Sequence, residues 1–388
     1  MKAMELIQIT EGKAKLMVPK ESFNDAFHLP VFYNPAMRFN RSISSLAMRS
    51  CRDLFEEDFT VLDGLSSLGS RGIRYAMENK VKAVHFVDAN PDALKVLKKN
   101  IKLNKLKNAH VAEMDLNKFL LTTATYFDFI EIDPFGSPVF FLQNAIRKLR
   151  KKAILSITAT DLANLAGANQ RPCIKHYDSK PLRCEYAHEV ALRILLGRTA
   201  RDLMMQDFGC HPMLSFFKGH AIKCIVLAEK SAAKADEIIP NLGFIMHCHK
   251  CLNRETGKRT KEKCPNCGES YDFAGELWIG KMQDGEMIGK MQKENGKSGF
   301  EGKGNGNADF GEKQEIAKML ELLNSENDFG PSFFDIHTIA KKLTVRAKKT
   351  AKIMALLEKK GMRTSPTHYS PTSFKTDAKL VDVLKAVK

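Results

Sequence analysis

The 388-residue sequence contains no run that approaches the ~20 consecutive apolar residues needed to cross a bilayer. Its first residues, MKAMELIQITEGKAKLMVPK, also lack the continuous apolar core of a signal peptide. These absences argue against a membrane partner and predict a protein of the cytoplasm.

Disulfide bonds are not expected, although the chain has nine cysteines, because cytosolic thiols are kept reduced. Five cysteines are scattered along the chain, and the other four form a C-x₂-C-x₁₂-C-x₂-C pattern. Four thiolates at this spacing predict a structural, tetrahedral Zn²⁺ held by Cys248, Cys251, Cys264 and Cys267. Spare thiols without metal or an iron centre are the alternatives.

Acidic residues are outnumbered, since 45 aspartates and glutamates stand against 61 lysines and arginines, and the net charge is +16. This excess predicts a polyanionic partner such as nucleic acid, without separating RNA from DNA. A basic protein with no specific polyanionic partner is the alternative. The length predicts two or three domains.

Strand-like apolar runs alternate with helix-like segments from residue 59 onward. This alternation predicts an α/β domain over residues 1–232, with a parallel sheet covered by helices on both faces. The predicted strands are Thr60–Asp63, Ala83–Val87, His110–Ala112, Phe127–Ile132 and Ala153–Thr158.

Residues 233–388 are predicted to form a second, α+β region. It contains the zinc ribbon at about 244–275, and a winged-helix-like element at 314–388 that is suited to gripping nucleic acid. Between these two elements, residues 293–313 are rich in Gly, Asn, Lys and Glu, which predicts a flexible linker.

The winged-helix-like element has a helix-turn-helix pattern. Asp335–Leu343 is predicted as one helix, and Val345–Lys360 as a second helix that Thr344 caps and Gly361 ends.

Carboxylates follow the ends of the first three predicted strands. Asp63 and Gly64 open a glycine-rich turn that leads into a helix, where a ligand can approach the backbone. Asp88 is placed to accept the hydroxyls of a ribose, and Asp115 an adenine amino group. The spacing departs from the dinucleotide fingerprint, so an empty turn, solvated acids or helix caps remain alternatives. Taken together, the acids predict a nucleoside cofactor.

The segment FDFIEIDPFGSP, residues 127–138, places Asp133 directly after a buried strand. Asp133 supplies a carboxylate, Pro134 a carbonyl whose geometry the fixed proline φ constrains, and Phe135 a flat face. Two acceptors and a flat face suit an amino group on a planar heterocycle. The segment therefore predicts an enzyme that acts on a nucleobase amine.

Several short motifs occur together in the chain: FYNP at 32–35 with NR at 40–41, GSRGIR at 69–74, DPFGSP at 133–138, TATD at 158–161 and THYSPT at 367–372. As a set they resemble the tRNA (guanine26-N2)-dimethyltransferase family. The resemblance implies a Rossmann-like class I methyltransferase fold with S-adenosylmethionine as cofactor. It also implies transfer of methyl groups to N2 of guanosine 26 in tRNA, first to the monomethyl and then to the dimethyl form, by a monomer.

The resemblance implies roles for individual residues. The expected cofactor-binding residues are Arg41, Arg71, Asp88 and Asp115, together with the turn residues Asp63 and Gly64. An ion-pair or phosphate-binding role is expected for Arg74 instead.

The expected catalytic residues are Asp133 and Pro134, which would hold the target amine, and Phe135 and Phe32, which would sandwich the flipped base. A core role is the alternative for both aromatic rings. At the level of function, the alternatives are an adenine-amine methyltransferase on another nucleic acid, a nicotinamide dehydrogenase and a non-catalytic zinc-ribbon RNA-binding protein.

Overall fold

The computed structural model describes residues 4–24, 29–297 and 306–388, with only the backbone described for 306–310. The strands are Leu6–Glu11 (β1), Ala14–Pro19 (β2), Phe59–Gly64 (β3), Val81–Asp88 (β4), Ala109–Glu113 (β5), Phe127–Ile132 (β6), Leu149–Ala159 (β7), Phe208–Lys218 (β8), Ala221–Lys230 (β9), Leu242–His247 (β10), Arg254–Gly257 (β11), Asp272–Trp278 (β12), Phe334–Asp335 (β13), Thr364–Thr367 (β14) and Ser370–Thr376 (β15). The helices are Arg38–Ser50 (α1), Ser70–Glu78 (α2), Pro91–Leu103 (α3), Leu116–Thr122 (α4), Val139–Ile146 (α5), Leu162–Leu165 (α6), Gln170–Tyr177 (α7), Ala187–Met204 (α8), Ala232–Asp236 (α9), Gly285–Gly296 (α10), Gly306–Glu326 (α11), Ile336–Leu343 (α12), Thr350–Glu358 (α13) and Leu380–Val387 (α14).

A seven-stranded sheet in the order β5-β4-β3-β6-β7-β9-β8 forms the centre of the molecule. Strands β3 to β7 are parallel, and β9 and then β8 join as antiparallel strands. The Rossmann-like prediction is confirmed, and all five predicted strands are present. In the sheet register Gly64 lies beside Val87 and Ile132, and Asp88 beside Glu113, so four strands end at one edge.

Helices cover both faces of this sheet, as the alternating sequence pattern predicts. One apolar cluster joins α4, α5 and α8 to the sheet and continues into β10 and β12. A second apolar cluster joins the sheet to α1, α2, α3, α10 and α11. Helix α8 lies close to β12: a Cβ added at Gly197 would be only 2.8 Å from the backbone nitrogen of Trp278. The apolar core therefore continues across residue 232. No described helix is both long and apolar enough to span a membrane.

An N-terminal hairpin, β1 paired with β2, was not expected from the sequence. The Asn100 side chain of α3 bonds both the amide nitrogen and the carbonyl oxygen of Met17 on β2, at 2.7 and 3.2 Å. The hairpin brings Glu11, the last residue of β1, to α1 and α2, where it accepts hydrogen bonds from Arg41 and Arg74.

The C-terminal part contains two small antiparallel sheets. The cysteine segment forms the ribbon β11-β10-β12, and β13-β15-β14 pack with α12, α13 and α14 around a separate apolar cluster. The helix-turn-helix prediction is right in outline, but the second helix begins only at Thr350. Thr344 is not its N-cap, because it ends α12 in the left-handed conformation with a φ of 55°.

The predicted linker 293–313 is helical at both ends, since α10 continues to Gly296 and α11 begins at Gly306. Residues 298–305 lie outside the described residues. Polar contacts hold the end of α10 and the start of α11, and the amino-acid composition of the segment does not reveal such contacts. Asn295 Nδ2 donates to the Lys313 carbonyl at 3.0 Å, and Glu312 accepts from Arg38 and Ser42 of α1 at 2.9 and 2.7 Å.

Candidate active site and metal centre

Asp133 follows the carboxyl end of β6, the middle strand of the seven-stranded sheet. Its Oδ2 accepts from Arg71 Nε at 2.7 Å and lies 2.6 Å from Arg71 Nη2, which also donates to Asn40 Oδ1 at 2.9 Å. The Asp133 side chain is 22% exposed, whereas Arg71 is 6% exposed. The structure therefore brings a predicted catalytic residue and a predicted cofactor ligand into one ion pair, with the carboxylate open to solvent.

A second, fully buried carboxylate lies behind this pair. Glu131 Oε2 accepts from the Tyr75 hydroxyl and Oε1 from Lys223 Nζ, both at 2.7 Å. Burial alone raises the pKa of Asp133, but the charges of Arg71 and Lys223 outweigh burial and hold the pKa below its ordinary value. Asp133 is therefore an ionised hydrogen-bond acceptor at neutral pH.

The loop after Asp133 is pinned from both sides. Gly136 N donates to Thr160 Oγ1 at 2.8 Å, and Thr160 N donates to the Gly136 carbonyl at 3.0 Å. Gly136 adopts a φ of +87°, which glycine reaches without strain. This turn leaves Phe135 66% exposed beside a buried Pro134.

Phe32 lies against Phe135, with ring centroids 4.4 Å apart and an edge-to-face angle of 77°. The two rings are thus together at the mouth of the site, but they touch each other and do not form parallel plates. A base can lie between them only after they separate. Their predicted role as a clamp stays a prediction.

The cofactor side of the edge is formed by loops after β3 and β4. Asp88 Oδ2 accepts from Ser67 N at 2.7 Å, and Asp88 Oδ1 accepts from Asn90 N at 2.8 Å. Each oxygen keeps a lone pair for a further donor. Asp115 is exposed and caps α4 by accepting from Lys118 N at 3.0 Å.

Three other predicted cofactor residues have protein partners. Asp63 accepts from Gly72 N at 2.8 Å, and burial raises its pKa to about 7. Gly64 is packed so tightly that a Cβ would lie 2.9 Å from Leu116. Arg41 Nε and Nη2 each bond Glu11 at 2.6 Å. These residues support the site from within the fold, and their contact with a cofactor stays a prediction.

Arg74 also takes part in the Glu11 network. It donates to Glu11 at 2.9 Å and to Glu78 at 2.7 Å, which confirms an ion-pair role for this residue.

The residues of the site fit S-adenosylmethionine. Arg71 Nη1 is a buried donor without a hydrogen-bond partner among the described residues, and a methionine carboxylate would supply the missing acceptor. Ser66 Oγ is a second such atom in the turn after β3. Leu65 and Ser67 have positive φ values of 64° and 48° in the same turn, a strained geometry typical of ligand-binding loops.

The four clustered cysteines form a metal centre, as predicted. Their sulfur atoms all lie within 4.8 Å of one another, with Cys248 to Cys267 at 3.5 Å and Cys251 to Cys264 at 3.6 Å. Sulfur ligands around a tetrahedral zinc lie ~3.8 Å apart, so these distances fit structural Zn²⁺.

Both halves of the metal centre have the same turn. Leu252 N donates to the Cys248 carbonyl and Gly268 N to the Cys264 carbonyl, each at 2.8 Å. Leu252 and Gly268 have φ values of +65° and +74°, so the first Cys-x₂-Cys segment makes without glycine the turn that Gly268 makes in the second.

Sequence reasoning did not predict Asn40 as the partner of Arg71, or Lys223 as the partner of Glu131. A usable signal existed for Lys223, because AIKCIVLA places one lysine within a continuous apolar strand. Asp161, the last residue of the TATD motif, accepts from the Tyr177 hydroxyl at 2.7 Å.

The strand order, the acids at the strand ends and the Asp-Pro-Phe loop define a class I methyltransferase with an added zinc ribbon. Residues 12–388 match the family model described as N2,N2-dimethylguanosine tRNA methyltransferase. The chain belongs to this family.

Individual relatives agree with this assignment over nearly their whole length. The chain is 36% identical to the tRNA (guanine(26)-N(2))-dimethyltransferase of Methanothermobacter thermautotrophicus, covering 97% of each chain. It is 31% identical to the tRNA (guanine(26)-N(2)/guanine(27)-N(2))-dimethyltransferase of Aquifex aeolicus, covering 99% of this chain and 96% of that one. The structure of Trm1 from Pyrococcus horikoshii with S-adenosyl-L-methionine is similar at a TM-score of 0.85 and 33% identity, covering 99% of this chain and 100% of that one.

Proposed function

We propose that this protein transfers methyl groups from S-adenosylmethionine to N2 of guanosine 26 in tRNA, giving N2,N2-dimethylguanosine by way of the monomethyl form. The observation that carries the proposal is the Asp133-Pro134-Phe135 loop beside Arg71, whose Nη1 has no hydrogen-bond acceptor in the part of the chain that the structure describes. Membership of the dimethylguanosine family supports the choice of base and atom.

The bound cofactor supplies an electrophilic methyl group on its sulfonium. Arg71 would hold the methionine carboxylate through Nη1, Asp88 would accept from the ribose hydroxyls, and Asp115 would accept from the adenine amine. Arg41, Asp63 and Gly64 keep the hairpin, the turn and the strand end in place around this pocket.

The exocyclic amine of guanine is a weak nucleophile because its lone pair is delocalised into the ring. The Asp133 carboxylate and the Pro134 carbonyl accept its two N–H bonds and point the lone pair at the methyl carbon. S-adenosylmethionine would supply the methyl group and keep the electron pair of the C–S bond that breaks as the C–N bond forms, and Asp133 or water would take the proton that the amine loses.

Alignment contributes more to this step than proton transfer. The low pKa of Asp133 makes it a weak base, and general-base help is worth ~10²–10⁴-fold. Orientation of the reactants can contribute about 7–11 kcal/mol.

A surface suited to the RNA surrounds the site. Phe135, Phe140 and Ile174 are 66%, 60% and 46% exposed, and α7 adds the exposed cations Arg171 and Lys175. Exposed rings can stack on unpaired bases, and cations can contact phosphates. The winged-helix-like element extends the basic surface that tRNA would contact.

The proposal includes a monomer in the cytoplasm. All the residues proposed for the reaction come from a single chain, so the site needs no second copy. None of the nine cysteines, all of which lie within the described residues, forms a disulfide bond, and this suits a reducing compartment. Light scattering at micromolar concentration would report a mass of about one chain, and a mass of two chains would refute the monomer.

Nucleoside mass spectrometry on an unmodified tRNA transcript, incubated with enzyme and S-adenosylmethionine, tests the function. The expected product is N2,N2-dimethylguanosine at position 26, absent when guanosine 26 is replaced by adenosine. Methylated adenosine would identify the adenine-amine alternative, and methylation confined to another guanosine would overturn the assigned position. No methylation of any tRNA would overturn the proposal.

A further inference from the structure

Lys223 is a lysine with no solvent exposure on β9, opposite Thr158 of β7 in the sheet register. Its ammonium donates to Glu131 Oε1 at 2.7 Å and to Thr158 Oγ1 at 3.1 Å. Burying a charged pair of this kind costs several kcal/mol in lost hydration, and an apolar pair often stabilises a fold as well or better. Packing alone therefore does not explain Lys223.

Glu131 and Asp133 both lie within reach of the same guanidinium. Arg71 Nε is 2.7 Å from Asp133 Oδ2 and 3.8 Å from Glu131 Oε1. A buried carboxylate without a counter-ion is strongly unfavourable, so Glu131 would attract Arg71 if nothing else neutralised it. Lys223 is the cation that neutralises it.

We propose that Lys223 is a positioning residue for methyl transfer, which by pairing with Glu131 leaves Arg71 bound to Asp133 and keeps that carboxylate aimed at the target amine. This inference rests on the proposed function. Lys223 touches neither the base nor the cofactor and acts through Glu131 and Arg71.

The charges around Lys223 allow the inference to be separated from simple stabilisation. The charged groups that act on it are Glu131 of β6, Asp133 after β6 and Arg71 of α2, and Thr158 of β7 accepts a hydrogen bond from it. Lys223→Met keeps an unbranched side chain of nearly the same length but leaves Glu131 charged, so Arg71 moves toward Glu131 and Asp133 loses its partner. Adding Glu131→Gln removes the competing charge, and Arg71 returns to Asp133.

The experiment measures kcat, KM for tRNA and the pH dependence of kcat for the full-length wild-type protein, Lys223→Met and Lys223→Met/Glu131→Gln. For the single variant we expect kcat to fall about 100-fold, as a displacement of ~1 Å in the site can cause, with KM for tRNA unchanged. The acid limb of its pH profile should move to higher pH, because Asp133 loses two neighbouring cations. In the double variant kcat should recover to within about fivefold of wild type, since orientation is restored.

A matched control is Lys230→Met on the same strand, where the lysine is 43% exposed and lies 3.7 Å from Asp207. This variant should retain wild-type kcat. A single variant with wild-type kcat and an unchanged pH profile would overturn the inference. The inference would also be overturned if kcat fell equally in the single and double variants and the fall matched a lower free energy of unfolding. That result would show a purely structural role for Lys223.

Calorimetry separates this inference from the proposed function. Diverting Arg71 also removes its Nη1 from the methionine carboxylate, so S-adenosylmethionine should bind about tenfold more weakly to Lys223→Met and normally to the double variant. If the wild-type protein methylates no tRNA, the proposed function fails, and these affinities still decide whether Lys223 controls the partner of Arg71. Equal affinities in all three proteins would reject that control.

Discussion

Two buried networks of arginines and carboxylates meet helix α2, and they differ in how completely they are satisfied. In the first, every guanidinium nitrogen of Arg41 and Arg74 has an acceptor, and Glu11 lies between them. In the second, Arg71 holds Asp133, but Arg71 Nη1 has no partner among the described residues. Buried polar groups are normally all paired, so we expect the complete network to be structural and the incomplete one to bind ligands.

The two networks use the same chemistry, which is the pairing of arginines with carboxylates. Arg71 and Arg74 are less than one turn apart on α2, and both are buried. Arg74 is 1% exposed and its partners are at most 2% exposed, whereas the partner of Arg71, Asp133, is 22% exposed. A site for a ligand is thus distinguished by an open carboxylate and a spare donor, and not by residue type.

Asp133→Ala, in the incomplete network, should give the largest effect. We expect methyl transfer to fall by about 10³-fold or more, because both alignment of the amine and a proton acceptor are lost. The affinity for S-adenosylmethionine, measured by calorimetry, should change much less than methyl transfer. A variant that retains near-normal kcat would remove Asp133 from the mechanism.

Glu11→Gln, in the complete network, should affect stability instead. Arg41 and Arg74 would share a buried site without the charge of Glu11, which typically costs about 3–5 kcal/mol of unfolding free energy. Urea denaturation measures this loss, and kcat per folded molecule should stay near wild type.

The matched control is Glu5→Gln, because Glu5 and Lys20 form an ion pair at 3.0 Å with both side chains 58% exposed. An exposed pair of this kind contributes less than about 1 kcal/mol. A Glu11→Gln variant that is as stable as this control would contradict the structural role of the complete network.

The pH dependence of stability gives a smaller effect. Burial raises the pKa of Glu11, but Arg41 and Arg74 outweigh burial and lower it from 4.5 to about 2. The native state therefore binds this proton less tightly than the unfolded state, and the resulting stability, about 3 kcal/mol, is present above pH 4.5 and lost as the pH falls toward 2. The unfolding free energies of wild type and Glu11→Gln should converge over this range. A constant difference would show that Glu11 does not titrate as described.

Local patterns predicted much of the fold. The predicted strand Phe127–Ile132 has the same bounds in the structure, and the cysteine spacing predicted the metal centre. These features depend on neighbouring residues or on a fixed ligand geometry. The linker prediction failed because α10 and α11 contact each other, as where Asn295 bonds Lys313. The start of the second helix was misplaced because Thr344 takes a left-handed conformation, which ends one helix and does not begin the next.

The part of the site that could be predicted is the part that the sheet topology places. Strand ends at one edge of a parallel sheet put Asp88, Asp115 and Asp133 near one another, and the sequence pattern predicts all three as candidate site residues. It could not assign partners to the arginines, because Glu11 arrives from a hairpin whose contacts are distant in sequence. Distinguishing Arg41 from Arg71 required the three-dimensional arrangement.

Calorimetric titration of S-adenosylmethionine into Arg71→Lys and Arg41→Lys tests the difference between the two networks most directly. Lysine keeps the charge but loses the Nη1 donor, so Arg71→Lys should weaken cofactor binding about tenfold or more, the effect of one charge-assisted hydrogen bond. Arg41→Lys should lower stability and leave the affinity of the folded protein unchanged. Unchanged affinity in Arg71→Lys, with weakened affinity in Arg41→Lys, would contradict the assignment of the incomplete network as the cofactor site.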